Sequence, residues 1–143
     1  MDNATWPTFL SDPRQILDLY DQPPALNRCD LFYVHIDERD TSITFGFETR
    51  ELPARPRQKW KKKPFNSIRF FISFTGISRI RINGWESPGE KEVEISRHGE
   101  DELTVHVTSK ASELSNASDL AFQAESASLT HSAAQLMAPG SGP

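Results

Sequence analysis

The amino-acid sequence predicts a mainly β, α+β fold: an antiparallel meander of about seven or eight strands, curled or split into two packed layers, with one short N-terminal helix. Two observations carry this. From Leu31 onward, apolar residues recur at every second position in run after run, so each strand buries one face and wets the other, as antiparallel sheet does. Ahead of those runs, one stretch alone carries helix signals.

That stretch is "FLSDPRQILDLYDQPP". Ser11 or Asp12 can accept a bond from the free amides of a first turn, and Pro13 suits the first helical position. Ile16, Leu17 and Tyr20 then give one apolar face, and Pro23 and Pro24 stop the helix. At about eight or nine residues it is too short to stand alone and must dock on something larger. Trp6 and Phe9, just ahead of it, are expected to pin the segment to the sheet.

The strands follow in order. Phe32, Val34 and Ile36 alternate with Leu31, Tyr33 and His35. After the polar linker "DERD", a hairpin connection, Ile43, Phe45 and Phe47 share one face. Ile68, Phe70, Ile72 and Phe74 form the most hydrophobic face in the chain. Gly76 interrupts the pattern, and "SRIRINGW" resumes it with Ile80 and Ile82 expected inward and Arg79 and Arg81 outward. Val93 and Ile95 mark a short strand, and Leu103, Val105 and Val107 the next. Leu120, Phe122 and Ala124 suggest a further one, and Ala127 to Leu129 a short last one. Residues 1–131 read as one domain, and residues 132–143, which end in "APGSGP" and lack apolar periodicity, as a flexible tail.

Composition narrows the setting. The 143 residues are enough for one domain with a sizeable core, and 36% hydrophobic with 25% charged residues is ordinary for a soluble globular protein. No apolar run suits a membrane helix, and "MDNATWPTFLSDP" has neither the basic nor the apolar region of a signal peptide. Cys29, the only cysteine, excludes an internal disulfide and fits a reducing interior, so a cytoplasmic location is expected. A formal charge of −4 argues against general adhesion to nucleic acid or anionic lipid.

Few residues point to catalysis. His35 and Asp37 lie two apart on a strand, and His106 is a conceivable third metal ligand, but an aspartate opening a turn is commonly there for local hydrogen bonding. Nothing local activates Cys29 as a nucleophile. There is no G-x-S-x-G elbow, no phosphate-cradling glycine loop and no paired zinc-ligand spacing. The reading is a non-enzyme with no cofactor and no metal.

Binding is the better prospect. "ARPRQKWKKKPF", residues 54–65, sets Arg55, Arg57, Lys59, Lys61, Lys62 and Lys63 around Trp60. Cations interleaved with a ring suit a nucleic-acid groove, since cations meet phosphates and rings stack on bases. Pro53, Pro56 and Pro64 cannot donate to a sheet ladder, so the stretch is expected to be an extended, exposed loop. Trp60 with Lys61, Lys62 and Lys63 is one candidate contact set; Trp85, after an Asn-Gly pair at a strand end, is another. Glu92 and Glu94, with Glu90 before them and Glu100, Asp101 and Glu102 after, are expected to form one negative surface near Trp85 that steers a basic partner.

The order "DPRQILDLYDQPPAL", "LFYVHIDERDTSITFGFET", "LPARPRQKW" and "FNSIRFFISFTGISRIRINGW" resembles the immunity protein 50 family of bacterial polymorphic toxin systems. The likeness runs from about Trp6 to the strand near Phe122, and its most specific element is the strand pair ending in Gly84-Trp85 after a proline-rich loop bearing Trp60. It implies a cytoplasmic protein that binds a cognate bacterial toxin and catalyses nothing; it carries over no contact residues. The alternative is a nucleic-acid-binding β domain using residues 54–65. Whether an unpaired edge strand also supports a homodimer is not readable from sequence.

Overall fold

Eight strands form where the alternating runs lie: β1 (Asp30–Asp37), β2 (Ser42–Thr49), β3 (Ser67–Thr75), β4 (Ser78–Asn83), β5 (Lys91–Gly99), β6 (Glu102–Ser109), β7 (Ser118–Ala124) and β8 (Ser126–Gln135). A computed structural model describes residues 5–85, 91–109 and 118–137. The strands pair antiparallel in two sheets, ordered β1-β2-β3-β8 and β4-β7-β6-β5. Of the two expected forms, curled or two-layered, the chain adopts the second.

The layers meet through the predicted faces. Ile43, Phe45, Phe47, Ile68, Phe70, Phe74, Leu103, Val105 and Val107 are all fully buried. Phe45 and Phe74 of the first sheet meet Phe122 of the second edge to face, with ring centroids 5.8 and 5.4 Å apart. The chain crosses between layers twice, after β3 and after β7, and the Glu125 N–H donates to the Thr75 carbonyl at 2.8 Å to hold the crossings together. Gly76 lies in the first crossing with φ +65°, a left-handed conformation that favours glycine, beside the Glu125 carboxylate, whose flexible end would have to move for a Cβ.

The N-terminal segment closes the sandwich. Trp6 stacks on Phe70 at 5.3 Å with ring planes 6° apart, and its Nε1–H donates to the Pro24 carbonyl at 2.8 Å. The helix, α1, is only Arg14–Leu17, shorter than expected. Pro13 is its N-cap rather than its first helical residue, and Asp12, one position ahead, accepts the Arg14 N–H at 3.0 Å. Its expected apolar face is corrected too: Ile16 and Tyr20 are buried, but Leu17 is exposed and Leu19 takes its place. The reason lies in Arg55. It donates from Nη2 to Leu17, from Nε to Asp18 and from its backbone N–H to Leu19, at 2.9, 3.0 and 3.0 Å, so these carbonyls are satisfied from outside the helix.

Three further expectations change. β4 is exposed along its whole length, Ile80 and Ile82 included, because it is the edge of its sheet and its register to β7 breaks between Ser78 and Arg81, with Arg79 at φ +56°. β8 continues to Gln135: Ser132 is buried opposite Phe70, and residues 132–135 are held by pairing to β3 rather than by an apolar pattern of their own. Residues 138–143, the end of the expected tail, lie outside the described residues. In β1 a bulge between Leu31 and Tyr33 makes Phe32 the extra residue, so Phe32 and Tyr33 stand together on the outer face instead of on opposite sides.

Candidate functional site

The two sheets leave one side open, where edge strand β1 lies beside edge strand β4. Val34 and Ile36 of β1, Ile82 of β4, Trp85 and Leu120 line an apolar groove of about 260 Å³ there. Of the eight exposed large hydrophobic side chains among the described residues, five belong to these two strands: Phe32, Tyr33, Ile36, Ile80 and Ile82. Scattered apolar residues need no explanation, but this clustering on adjoining edges does.

The outer face beside β1 continues the surface. Phe71 meets Phe32 and Tyr33 edge to face, each at 5.7 Å, and His35 stacks on Tyr33 at 6.2 Å. The rings close over Gly46, where an added Cβ would lie 2.7 Å from Phe71 Cε2 and 2.9 Å from Tyr33 Cβ. Arg69 crosses Phe32 at 4.7 Å and donates from Nε to the buried Glu48 carboxylate at 2.6 Å. Aromatic rings with a pre-positioned arginine are the composition of binding hot spots.

On the outer face of the second sheet Asp119 accepts a bond from Asn83 at 3.0 Å, with His106 at 3.4 Å and Arg81 at 3.6 Å. The Asn83 amide, then His106, hold its carboxyl below the usual carboxylate range.

The residues singled out from sequence do not converge. Trp60 turns inward and is 8% exposed, in a 3₁₀ turn, Gln58–Lys62, that replaces the expected extended loop. It packs edge-on to Phe65 at 6.4 Å, under the Arg57 guanidinium at 5.5 Å. Lys61, Lys62 and Lys63 stay exposed, while Arg55 is bonded to the carbonyls of Leu17, Asp18 and Leu19. Trp85 is half-buried at the groove, with the Lys91 ammonium 5.1 Å above its ring. Glu92 and Glu94 are on the wet side of β5 opposite Thr108 and His106. The acidic residues do not gather near Trp85: Asp101 and Glu102 lie at the far end of β5, about 26 Å of strand from Lys91 beside Trp85, and line a separate polar cleft with Thr41 and Gln123. Glu90 lies outside the described residues.

His35 and His106 lie on outer faces of different sheets, and among the described residues no group of three or more His, Cys, Asp or Glu is placed to hold a metal. Burial pushes the Cys29 thiol up to about 12, which leaves it protonated and unreactive. Among the described residues no helix is long and apolar enough to cross a membrane.

The sequence profile of immunity protein 50 matches residues 12–134, most of the chain. The chain belongs to the immunity protein 50 family. It is thus a relative of immunity proteins of toxin systems, and the family match covers both sheets and the open β1/β4 side. No curated protein and no solved structure matches the chain. The aromatic face around Gly46 and the groove were missed by sequence reasoning. The signal available was "LFYVHI", six consecutive residues without a clear wet position, which marks a strand exposing apolar side chains on both sides.

Proposed function

We propose that this protein protects a bacterial cell by binding a cognate toxin directly, in the cytoplasm, and that it contributes a surface rather than a reaction. The observation that carries this reading is the family match over residues 12–134. The exposed apolar and aromatic side chains of β1 and β4 supply the kind of surface such binding needs, and Trp85 lies within it. In this reading Lys61, Lys62, Lys63, Glu92 and Glu94 act at a distance, setting encounter rate and partner choice more than affinity.

The nucleic-acid alternative is weakened by one observation. Trp60, the ring that would stack on bases, is buried, so residues 54–65 offer exposed lysines without a stacking platform.

Co-expression tests the proposal. A candidate toxin domain taken from the genes flanking this one, induced alone in a bacterial host, should arrest growth, and co-expression of this protein should restore it. Growth arrest unaffected by well-expressed, folded protein would refute the proposal.

A further inference from the structure

Every sheet edge is a row of unpaired backbone groups that invites another strand, and proteins cover or disarm their edges. This sandwich has four, and three are managed. The β8 edge is met by the N-terminal segment: Leu10 bridges Ala127, and the Ser11 N–H donates to the Ala127 carbonyl at 2.8 Å. On the β5 edge the Val93 N–H donates to Asn27 Oδ1 at 2.7 Å, and the strand carries Lys91, Glu92, Glu94 and Arg97. The β4 edge carries Arg79 and Arg81 and is broken by its register shift and the left-handed Arg79.

β1 is different. Past its bulge the register to β2 is unbroken from Tyr33 to Asp37, a run without lysine, arginine or proline. None of the described residues pairs with its other side. Its side chains are also arranged to receive a strand: Val34 and Ile36 open onto the groove, and Tyr33 and His35 stand on the aromatic face.

We infer that β1 is the docking strand for the toxin, which adds an extended segment to this edge and sets alternate side chains into the groove and onto the aromatic face. The inference rests on the functional reading above and specifies its geometry. Strand addition draws affinity from main-chain hydrogen bonds and specificity from pockets at every second position. The groove, walled by Val34, Ile36, Ile82, Trp85 and Leu120, takes an aliphatic or aromatic side chain. Arg79, exposed beside Ile80 on β4, favours a carboxylate over a cation in the guest segment, Arg81 being turned to Asp119. The partner is therefore a protein with an exposed, extended segment of apolar and acidic character.

Hydrogen exchange tests this, followed amide by amide in the free protein and in its complex with an inactivated variant of the toxin domain that it neutralises in co-expression. The β1 amides between Tyr33 and Ile36 that do not bond to β2 should exchange rapidly in the free protein and about 100-fold more slowly in the complex. Ile36→Lys should weaken the complex at least about tenfold while the unfolding midpoint holds, since Ile36 is 36% exposed. A complex in which those amides stay fast, with protection confined to β5 or residues 54–65, overturns the inference and leaves the functional reading standing. Protection of β1 without toxin, rising with protein concentration, also overturns it, because the occupant is then a second copy. Failure to form any complex removes the functional reading itself.

Discussion

Trp60→Ala separates the two roles that residues 54–65 can play. A tryptophan buries roughly 150–250 Å² when enclosed, and at about 25 cal/mol per Å² its removal is worth up to about 4–6 kcal/mol. The ring is 8% exposed, but it sits on a 3₁₀ turn flanked by exposed lysines that can settle into the space left behind. Partial collapse lowers the cost, and about 2–4 kcal/mol is the expected loss, below the usual range for a rigid core site. With an unfolding entropy of about 2.1 cal/mol/K per residue, the chain should lose about 7–13 °C in Tm. Urea unfolding followed by far-UV circular dichroism measures this without depending on the deleted fluorophore. A triple change of Lys61, Lys62 and Lys63 to alanine is the control, and its midpoint should barely move. Trp60→Ala with an unchanged midpoint would refute the inward placement and return the ring to solvent.

Phe70→Ala should cost about 4–5 kcal/mol in the same assay, because Phe70 is fully buried between Trp6 and Phe47 and both rings lose a stacked neighbour; a loss below about 1 kcal/mol would contradict that packing. Gly46→Ala should destabilise by about 1–3 kcal/mol by forcing Phe71 and Tyr33 off the outer face, and an unshifted midpoint would show that the rings do not close over Gly46. Cys29 gives a pH prediction: its thiol, raised by burial from 9.0 to about 12, holds its proton in the folded state after the unfolded chain has lost it. That contribution is full below pH 9.0 and is lost between there and about 12. Tyr20, also raised by burial, acts with the same sign, so stability should fall above pH 9 and Cys29→Ala should make the fall shallower; identical slopes would refute the assignment.

Strands whose one face is buried and other face wet were legible. Ile43, Phe45 and Phe47, and then Ile68 to Phe74, could be phased from spacing alone because a slip of one residue would turn the whole set outward. What decided the rest was long-range. β4 looks like a half-buried strand in sequence, yet the crossing at Gly76 sends it to the margin of the second sheet beside β7, so Ile80 and Ile82 face water. Residues 132–135 have no pattern, but β3 offers them a partner. The candidate surface was the least legible part. Its origin is one extra residue, Phe32, and a bulge leaves no mark in a run where almost every side chain is apolar. Trp60 was misplaced because six surrounding cations describe the loop's solvent side and say nothing of where its one ring points.

The most direct test of the account is an equilibrium titration of the full chain with an inactivated form of the toxin domain it neutralises in co-expression, run at two salt concentrations in parallel with a generic single-stranded oligonucleotide. Toxin binding should be one to one and submicromolar, with affinity that survives the higher salt, while the oligonucleotide should bind weakly and lose what affinity it has as salt rises. Tight, salt-dependent oligonucleotide binding, with no measurable affinity for the toxin, would contradict it.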